Sequence, residues 1–79
     1  MDYFIDYNTG AGNESIKGTL EDAKKLAESN LSYTQKDVTI SANGEEAARL
    51  IWYGVSPQEG DFVTANYGDF GFYGGWLQY

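Results

Sequence analysis

Apolar and polar residues alternate along three segments of the chain, as they do in strands that bury one face. In the first of these segments, Tyr3, Ile5 and Tyr7 share one side. The alternation predicts strands over residues 3–8, 37–42 and 45–53. A short further strand is expected over Glu14–Lys17, returning from the first through a tight connection at residues 9–13, where glycine and asparagine tolerate turn conformations.

The dipeptide Asn43-Gly44 separates the second and third segments. It is the strongest short-range hairpin signal, because both central residues of a type I′ turn need a positive φ. We therefore expect these two strands to pair antiparallel. In the returning strand, Ala48, Leu50 and Trp52 share one face, while the other face mixes charged and apolar residues. That strand is expected to be partly covered on both sides.

Helical spacing replaces the alternation after Thr19. An apolar stripe at this spacing is formed by Leu20, Ala23, Leu26 and Ala27. Thr19 and Asp22 stand in the positions of a capping box, and Ser29-Asn30 is expected to end the helix. A helix of about three turns is marginal in isolation, so docking on the sheet must hold it.

The remaining elements complete the predicted fold. Residues 54–61 contain the only proline and are expected to form a loop, and residues 62–66 are expected to form a further strand. Consecutive strands joined by short turns give a mostly antiparallel sheet. The sequence therefore predicts a single α+β domain over residues 1–79, with a sheet of four to five strands and one helix packed on one face.

The C-terminal segment, residues 67–79, interleaves four glycines with six aromatic residues. These rings could complete the core, with the glycines allowing sharp bends and close backbone approach. Alternatively, they could form an exposed aromatic surface for a partner, since tyrosine and tryptophan combine a large apolar body with a polar group. Alternate residues of a strand face opposite ways, so the two interpretations are compatible and the sequence leaves both open.

Twelve acidic and five basic residues give the chain a net charge of −7. This charge disfavours direct nucleic-acid binding, which relies on lysine and arginine, and it disfavours an anionic membrane. It suits a basic protein partner, or it serves solubility alone. The sequence shows no basic segment followed by an apolar run at its start, and no stretch long enough to span a bilayer. We therefore expect a cytoplasmic protein.

Candidate catalytic and metal-binding chemistry is sparse. The chain has no histidine and no cysteine, so it lacks the usual general base and thiolate nucleophile. The run Gly10-Ala11-Gly12 precedes the helix, but it lacks the third glycine or the lysine of the phosphate-binding motifs. Asp61 and Asp69 could act as a glycosidase pair, but 79 residues leave little room for an enclosed site. We expect no enzymatic activity, no metal and no cofactor.

Five short motifs together resemble short uncharacterised proteins of gut and other Gram-positive bacteria and their prophages. The motifs are Thr9-Gly10-x-Gly12-Asn13, Gly18-Thr19-Leu20-Glu21-x-Ala23, Tyr33-Thr34-Gln35, Trp52-x-Gly54 and Gly68-Asp69-Phe70-Gly71-x-Tyr73. The resemblance covers nearly the whole chain and brings no catalytic motif. It implies a function that is unknown and a gene carried by a mobile element.

These observations favour a small acidic protein-interaction module. Its predicted contact residues are three aromatic anchors with two acids at the rim: Tyr53, Tyr73, Trp76, Asp69 and Glu59. One alternative is a small-molecule or carbohydrate-binding domain that stacks its ligand on Trp52, Tyr53, Tyr73 and Trp76. Another is an inhibitor that imitates the charge of nucleic acid against a host defence enzyme. The oligomeric state is not determined by the sequence.

Overall fold

A computed structural model describes the protein over residues 1–10 and 13–79. Within those residues the chain forms six strands and one α-helix. They are β1 (Asp2–Asp6), β2 (Glu14–Lys17), α1 (Leu20–Ser29), β3 (Val38–Ala42), β4 (Glu45–Tyr53), β5 (Ala65–Asn66) and β6 (Phe72–Gln78). A single 3-10 turn, Gly68–Phe70, joins β5 to β6. The predicted connection at residues 9–13 and the Gly10-Ala11-Gly12 run fall partly on residues 11 and 12, which lie outside the described residues.

All six strands belong to one antiparallel sheet in the order β2-β1-β3-β4-β6-β5. The α+β class, the antiparallel pairing and the single helix on one face are confirmed for the described residues. The predicted count of four to five strands is slightly low. The difference arises at the C-terminus, where the glycine-rich segment forms the seven-residue strand β6. Of the strand expected over residues 62–66, only Ala65–Asn66 pairs, and its partners are Tyr73 and Phe72.

The helix α1 begins and ends where its capping residues require. The backbone N–H of Asp22 donates to Thr19 Oγ1 at 3.1 Å, and the backbone N–H of Thr19 donates to Asp22 Oδ2 at 3.1 Å. These two hydrogen bonds form the predicted capping box, and the bond from the Thr19 N–H lowers the pKa of the Asp22 carboxyl. On the other side of the helix, Ala23 and Ala27 are fully buried, and their small side chains let the helix approach the sheet closely.

Replacing Thr19 with alanine should lower the free energy of unfolding by about 1 kcal/mol, because a first-turn N–H of α1 loses its acceptor. Urea denaturation monitored by circular dichroism measures this change. Ser32→Ala removes an exposed hydroxyl outside the helix and should change the stability by less than about 0.5 kcal/mol. Equal effects of the two substitutions would show that the capping box does not stabilise the helix.

The hydrophobic core lies between α1 and the sheet face that the helix covers. Its buried residues from the sheet are Tyr7, which directly follows β1, and the strand residues Ile5, Val38, Ile40, Ala48, Leu50 and Tyr73. The Tyr7 hydroxyl donates to Glu14 Oε1 at 2.9 Å, and burial raises the pKa of that phenol above its usual value. Beyond the end of the helix the same face is completed by an aromatic cluster, whose ring centroids lie 5.0 to 6.2 Å apart and which contains Tyr33, Trp52, Tyr67, Phe70 and Tyr73.

Candidate partner-binding site

The face of the sheet opposite α1, which we call the open face, carries no helix among the described residues. Strand register places Arg49 on this face between Thr39 and Leu77, and it pairs Tyr53 with Phe72. Leu77 and Tyr53 are about half exposed there. The half-buried state of Arg49 confirms that β4 is partly covered on both sides.

The only arginine of the chain is held at the centre of the open face by two carboxylates. Arg49 Nη1 donates to Asp37 Oδ2 at 3.0 Å, and Nη2 donates to Glu46 Oε1 at 2.8 Å. Hydrogen bonds from Arg49, and to a lesser extent from Tyr79, lower the pKa of the Glu46 carboxyl. The single positive charge of the Arg49 guanidinium is therefore already paired with two carboxylates.

A cleft of about 340 Å³ opens at the β6 end of the open face. We call it the aromatic cleft. Its walls come from the end of β4, from the loop that follows β4 and from the start of β6. The residues that line it are Tyr53, Val55, Ser56, Gln58, Asp61, Phe62, Phe72, Gly74 and Gly75.

Two adjacent glycines form the floor of the aromatic cleft. The register between β4 and β6 shifts between Leu50 and Trp52, which leaves an extra residue on β6 at Gly74-Gly75. A Cβ atom on Gly74 would lie 2.6 Å from the ring of Tyr53, and one on Gly75 would lie 3.3 Å from the ring of Phe62. The ring of Tyr53 can rest against the backbone here because Gly74 carries no side chain, whereas a side chain at Gly75 would require only a small shift of the Phe62 ring.

The rings at the aromatic cleft differ in how they are held. Tyr53 stacks on the buried Phe72, with centroids 5.0 Å apart and an interplanar angle of 21°. Phe62 is 74% exposed, the highest value among the large hydrophobic residues described. An apolar ring presented this openly, beside a second ring that is half exposed, is typical of a contact surface rather than of a core.

Asp61 is fixed at the aromatic cleft by a tight turn. Its Oδ2 accepts the backbone N–H of Gln58 at 2.8 Å, and its own N–H donates to the Gln58 carbonyl at 3.0 Å. Gly60 lies inside this turn with φ of +93°, a conformation that glycine adopts without strain. The carboxylate is thus held in place before any partner arrives.

The loops that build the aromatic cleft come from a part of the chain in which every charged residue is acidic. After Arg49 the chain has no lysine or arginine, and its only charged residues are Glu59, Asp61 and Asp69. Asp69 Oδ1 accepts a hydrogen bond from Ser56 Oγ at 3.2 Å, which ties it to a residue of the cleft wall. Glu59 lies in the turn between Gln58 and Asp61. All three acids therefore belong to the loops that build the site.

Of the five predicted contact residues, one lines the aromatic cleft and two lie in the loops around it. Tyr53 lines the aromatic cleft, Asp69 bonds to its wall, and Glu59 stands in the loop that forms its rim.

Tyr73 is fully buried in the core, so its prediction as a contact residue is wrong. Its hydroxyl donates to the Lys36 carbonyl at 2.9 Å and lies 2.7 Å from Thr34 Oγ1, and burial raises the pKa of its phenol.

Trp76 lies on the helix side of the sheet and does not line the aromatic cleft, but it lines a neighbouring pocket together with Phe62 and Gly75. Its Nε1 donates to Glu28 Oε2 of α1 at 2.8 Å, and the ring is half-buried. Trp52 belongs to the aromatic cluster on that same face, whereas Tyr53 lies on the open face. Because Tyr73 is also buried, the four rings considered for carbohydrate stacking do not form one platform.

Sequence reasoning missed several residues of the site. The sequence predicts a strand at Phe62 and offers Asp61 only as a catalytic acid, and it indicates bends and close backbone approach for the tail glycines without placing Gly74-Gly75 in a site. One signal in the sequence points to them, because every charged residue after Arg49 is acidic and lies close to an aromatic residue.

Residues 1–10 and 13–79 contain neither a cluster of metal-binding side chains nor a membrane-spanning helix. Nowhere in this part of the chain do three acidic side chains gather as a metal site would require. Its helix is too short to cross a membrane.

Neither a family model, nor a curated protein, nor a solved structure matches the chain. The resemblance to short proteins of Gram-positive bacteria and their prophages stays a prediction.

Proposed function

We propose that the protein is a small interaction module that docks on a basic protein through the aromatic cleft. The observation that carries this proposal is the position of Phe62. Its ring is 74% exposed on a loop, next to Tyr53 and beside carboxylates that no basic residue of the same loops offsets.

The exposed rings supply the affinity in this proposal. Covering a ring such as Phe62 would contribute about 2 kcal/mol from apolar burial alone. Aromatic residues held in a preformed pocket are the usual centres of interface energy, since little side-chain entropy is lost when they dock. The Gly74-Gly75 floor and the Tyr53–Phe72 stack provide such a preformed setting.

The negative charge supplies the preference for a basic partner. Acids around an apolar centre steer a positively charged surface toward it and repel other acidic molecules. A second copy of this chain also carries a net charge of −7, so association of two aromatic clefts is disfavoured. The partner is therefore a different protein with a basic surface.

Capture from a lysate of the cells that carry the gene, followed by titration of the purified partner, tests this function. Wild-type protein should retain a basic protein, with weaker retention when salt rises from about 0.1 to about 0.5 M. Phe62→Ser should weaken the purified complex about tenfold, because the ring at the centre of the contact is lost.

Phe70→Ser is the matched control, because Phe70 is 69% exposed but lies outside the lining of the aromatic cleft. This variant should bind the captured partner within about twofold of wild type. Equal loss in the two variants, or the absence of any basic protein whose retention depends on Phe62, would remove the support for this function.

A further inference from the structure

We infer that the aromatic cleft receives the guanidinium of an arginine side chain from the partner protein. This inference rests on the proposed function, since it names the group that the docking surface recognises. It follows from three features of the cleft: two ring surfaces, one fixed carboxylate, and the absence of lysine and arginine from its lining.

The first feature is the pair of rings. Tyr53 and Phe62 stand on neighbouring glycines of the cleft floor and are 45% and 74% exposed. A cation over an aromatic face is attracted by the negative charge of that face, and arginine makes this contact more often than lysine does. The flat guanidinium also stacks on a ring, whereas the ammonium of lysine is compact and strongly hydrated.

The second feature is the carboxylate of Asp61. Its Oδ2 already accepts the N–H of Gln58 at 2.8 Å, and among the residues that the structure describes no donor reaches its Oδ1. An apolar side chain entering the cleft would take this charge out of water and leave Oδ1 without a hydrogen-bond donor, which is costly. A guanidinium offers several N–H donors in one plane and can bond to the carboxylate while it stacks on a ring.

The third feature is that no lysine or arginine of the chain lines the cleft. The single arginine of the chain, Arg49, is already engaged by Asp37 and Glu46 at 3.0 and 2.8 Å. Each of the four lysines precedes residue 37 in the sequence, and none lines the cleft. The negative charge of Asp61 is therefore left for a group from outside, and an anionic ligand such as a phosphate would be repelled.

The test uses three capped pentapeptides, Gly-Ser-X-Ser-Gly, in which X is arginine, citrulline or lysine. Citrulline has nearly the same shape as arginine but no charge. Titration into the ¹⁵N-labelled full chain, followed by nuclear magnetic resonance, gives both the location and the strength of binding. The arginine peptide should shift amide signals of Tyr53, residues 58–62 and Gly75, and should bind about fivefold more tightly than the citrulline peptide. It should also bind more tightly than the lysine peptide.

Two variants test whether binding of the arginine peptide depends on the charge of Asp61. Asp61→Asn keeps an acceptor for the Gln58 N–H but removes the charge, and it should weaken the arginine peptide about fivefold. Asp2→Asn makes the same change in net charge on β1, which is separated from β6 by two other strands, and should have an effect below about twofold. Amide spectra of both variants establish that they remain folded.

Several results would overturn the inference. They are equal binding of the arginine and citrulline peptides, tighter binding of the lysine peptide, equal effects of the two variants, or no shift at about 20 mM peptide. If a partner captured through Phe62 were still found, the interaction function would stand and only the arginine assignment would fail. If no such partner existed, both would fail.

Discussion

Replacing Gly71 with alanine is expected to lower the free energy of unfolding by about 3 kcal/mol or more. Gly71 has φ of +140° and ψ of −171°, a region of backbone conformation that is essentially restricted to glycine. A Cβ atom at this position would lie 2.5 Å from Cζ2 of Trp52 and would also overlap the carbonyl oxygen of Tyr53. Backbone strain and overpacking therefore act together.

Gly68→Ala separates these two effects. Gly68 also has a positive φ, +65°, but a Cβ atom there would meet no atom within 4 Å. This variant should lose only about 1 kcal/mol, the strain of placing an alanine in the left-handed region. Urea denaturation of both variants gives the comparison. A Gly71→Ala variant no less stable than Gly68→Ala would mean that the surrounding chain relaxes and that the close approach is unimportant.

Gly71 also determines how β6 enters the sheet. It directly precedes Phe72, which packs under Tyr53 on the open face, and Tyr73, which enters the core. An alanine here would displace the start of β6 from β4, and with it the glycine floor of the aromatic cleft. Partner binding should therefore decrease in the folded fraction of Gly71→Ala as well, although the residue is buried.

The helix and the central hairpin could be predicted because their signals are local. The capping box needs only Thr19 and Asp22, three positions apart, and the hydrogen bonds form as expected. The turn between β3 and β4 needs a positive φ at two adjacent residues, and Asn43 and Gly44 have φ of 54° and 79°. In each case the deciding atoms belong to neighbours in sequence, so composition and spacing are sufficient.

Strand β6 could not be predicted in the same way. Four glycines in residues 67–79 argue against a strand by propensity. Two of them, Gly74 and Gly75, are tolerated because the rings of Tyr53 and Phe62 pack where side chains would have been. This packing joins β6 to residues of β4 and of a loop, and no local pattern in the sequence reports it.

The site was predicted in part for a related reason. Tyr53 and Tyr73 are both tyrosines near glycine, and which of them faces outward depends on the pairing of β4 with β6. In that pairing Tyr73 lies opposite Trp52, on the core side, and Tyr53 lies opposite Phe72, on the open side. The extra residue at Gly74-Gly75 then changes the alternation, so Trp76 also points toward the helix side. Sequence alternation alone cannot supply this register.

Tyr73→Ala is expected to destabilise the protein by about 4 kcal/mol, since it removes a fully buried ring from the core. Domains of this size are stable by only about 4 to 12 kcal/mol, so this loss removes about a third or more of the free energy of unfolding. Thermal and urea denaturation measure the loss. A binding defect in this variant would follow from unfolding and not from a lost contact, in contrast to the role that the sequence predicted for Tyr73.

Tyr73→Phe distinguishes the ring from its hydroxyl. It keeps the ring but removes the donor to the Lys36 carbonyl and the oxygen that lies 2.7 Å from Thr34 Oγ1, so it should cost about 1 kcal/mol. Because the ring does not reach the surface, this variant should bind the partner as tightly as wild type does. Weaker binding by a stably folded Tyr73→Phe variant would show that Tyr73 takes part in docking after all, and that the open face is not the surface that the partner contacts.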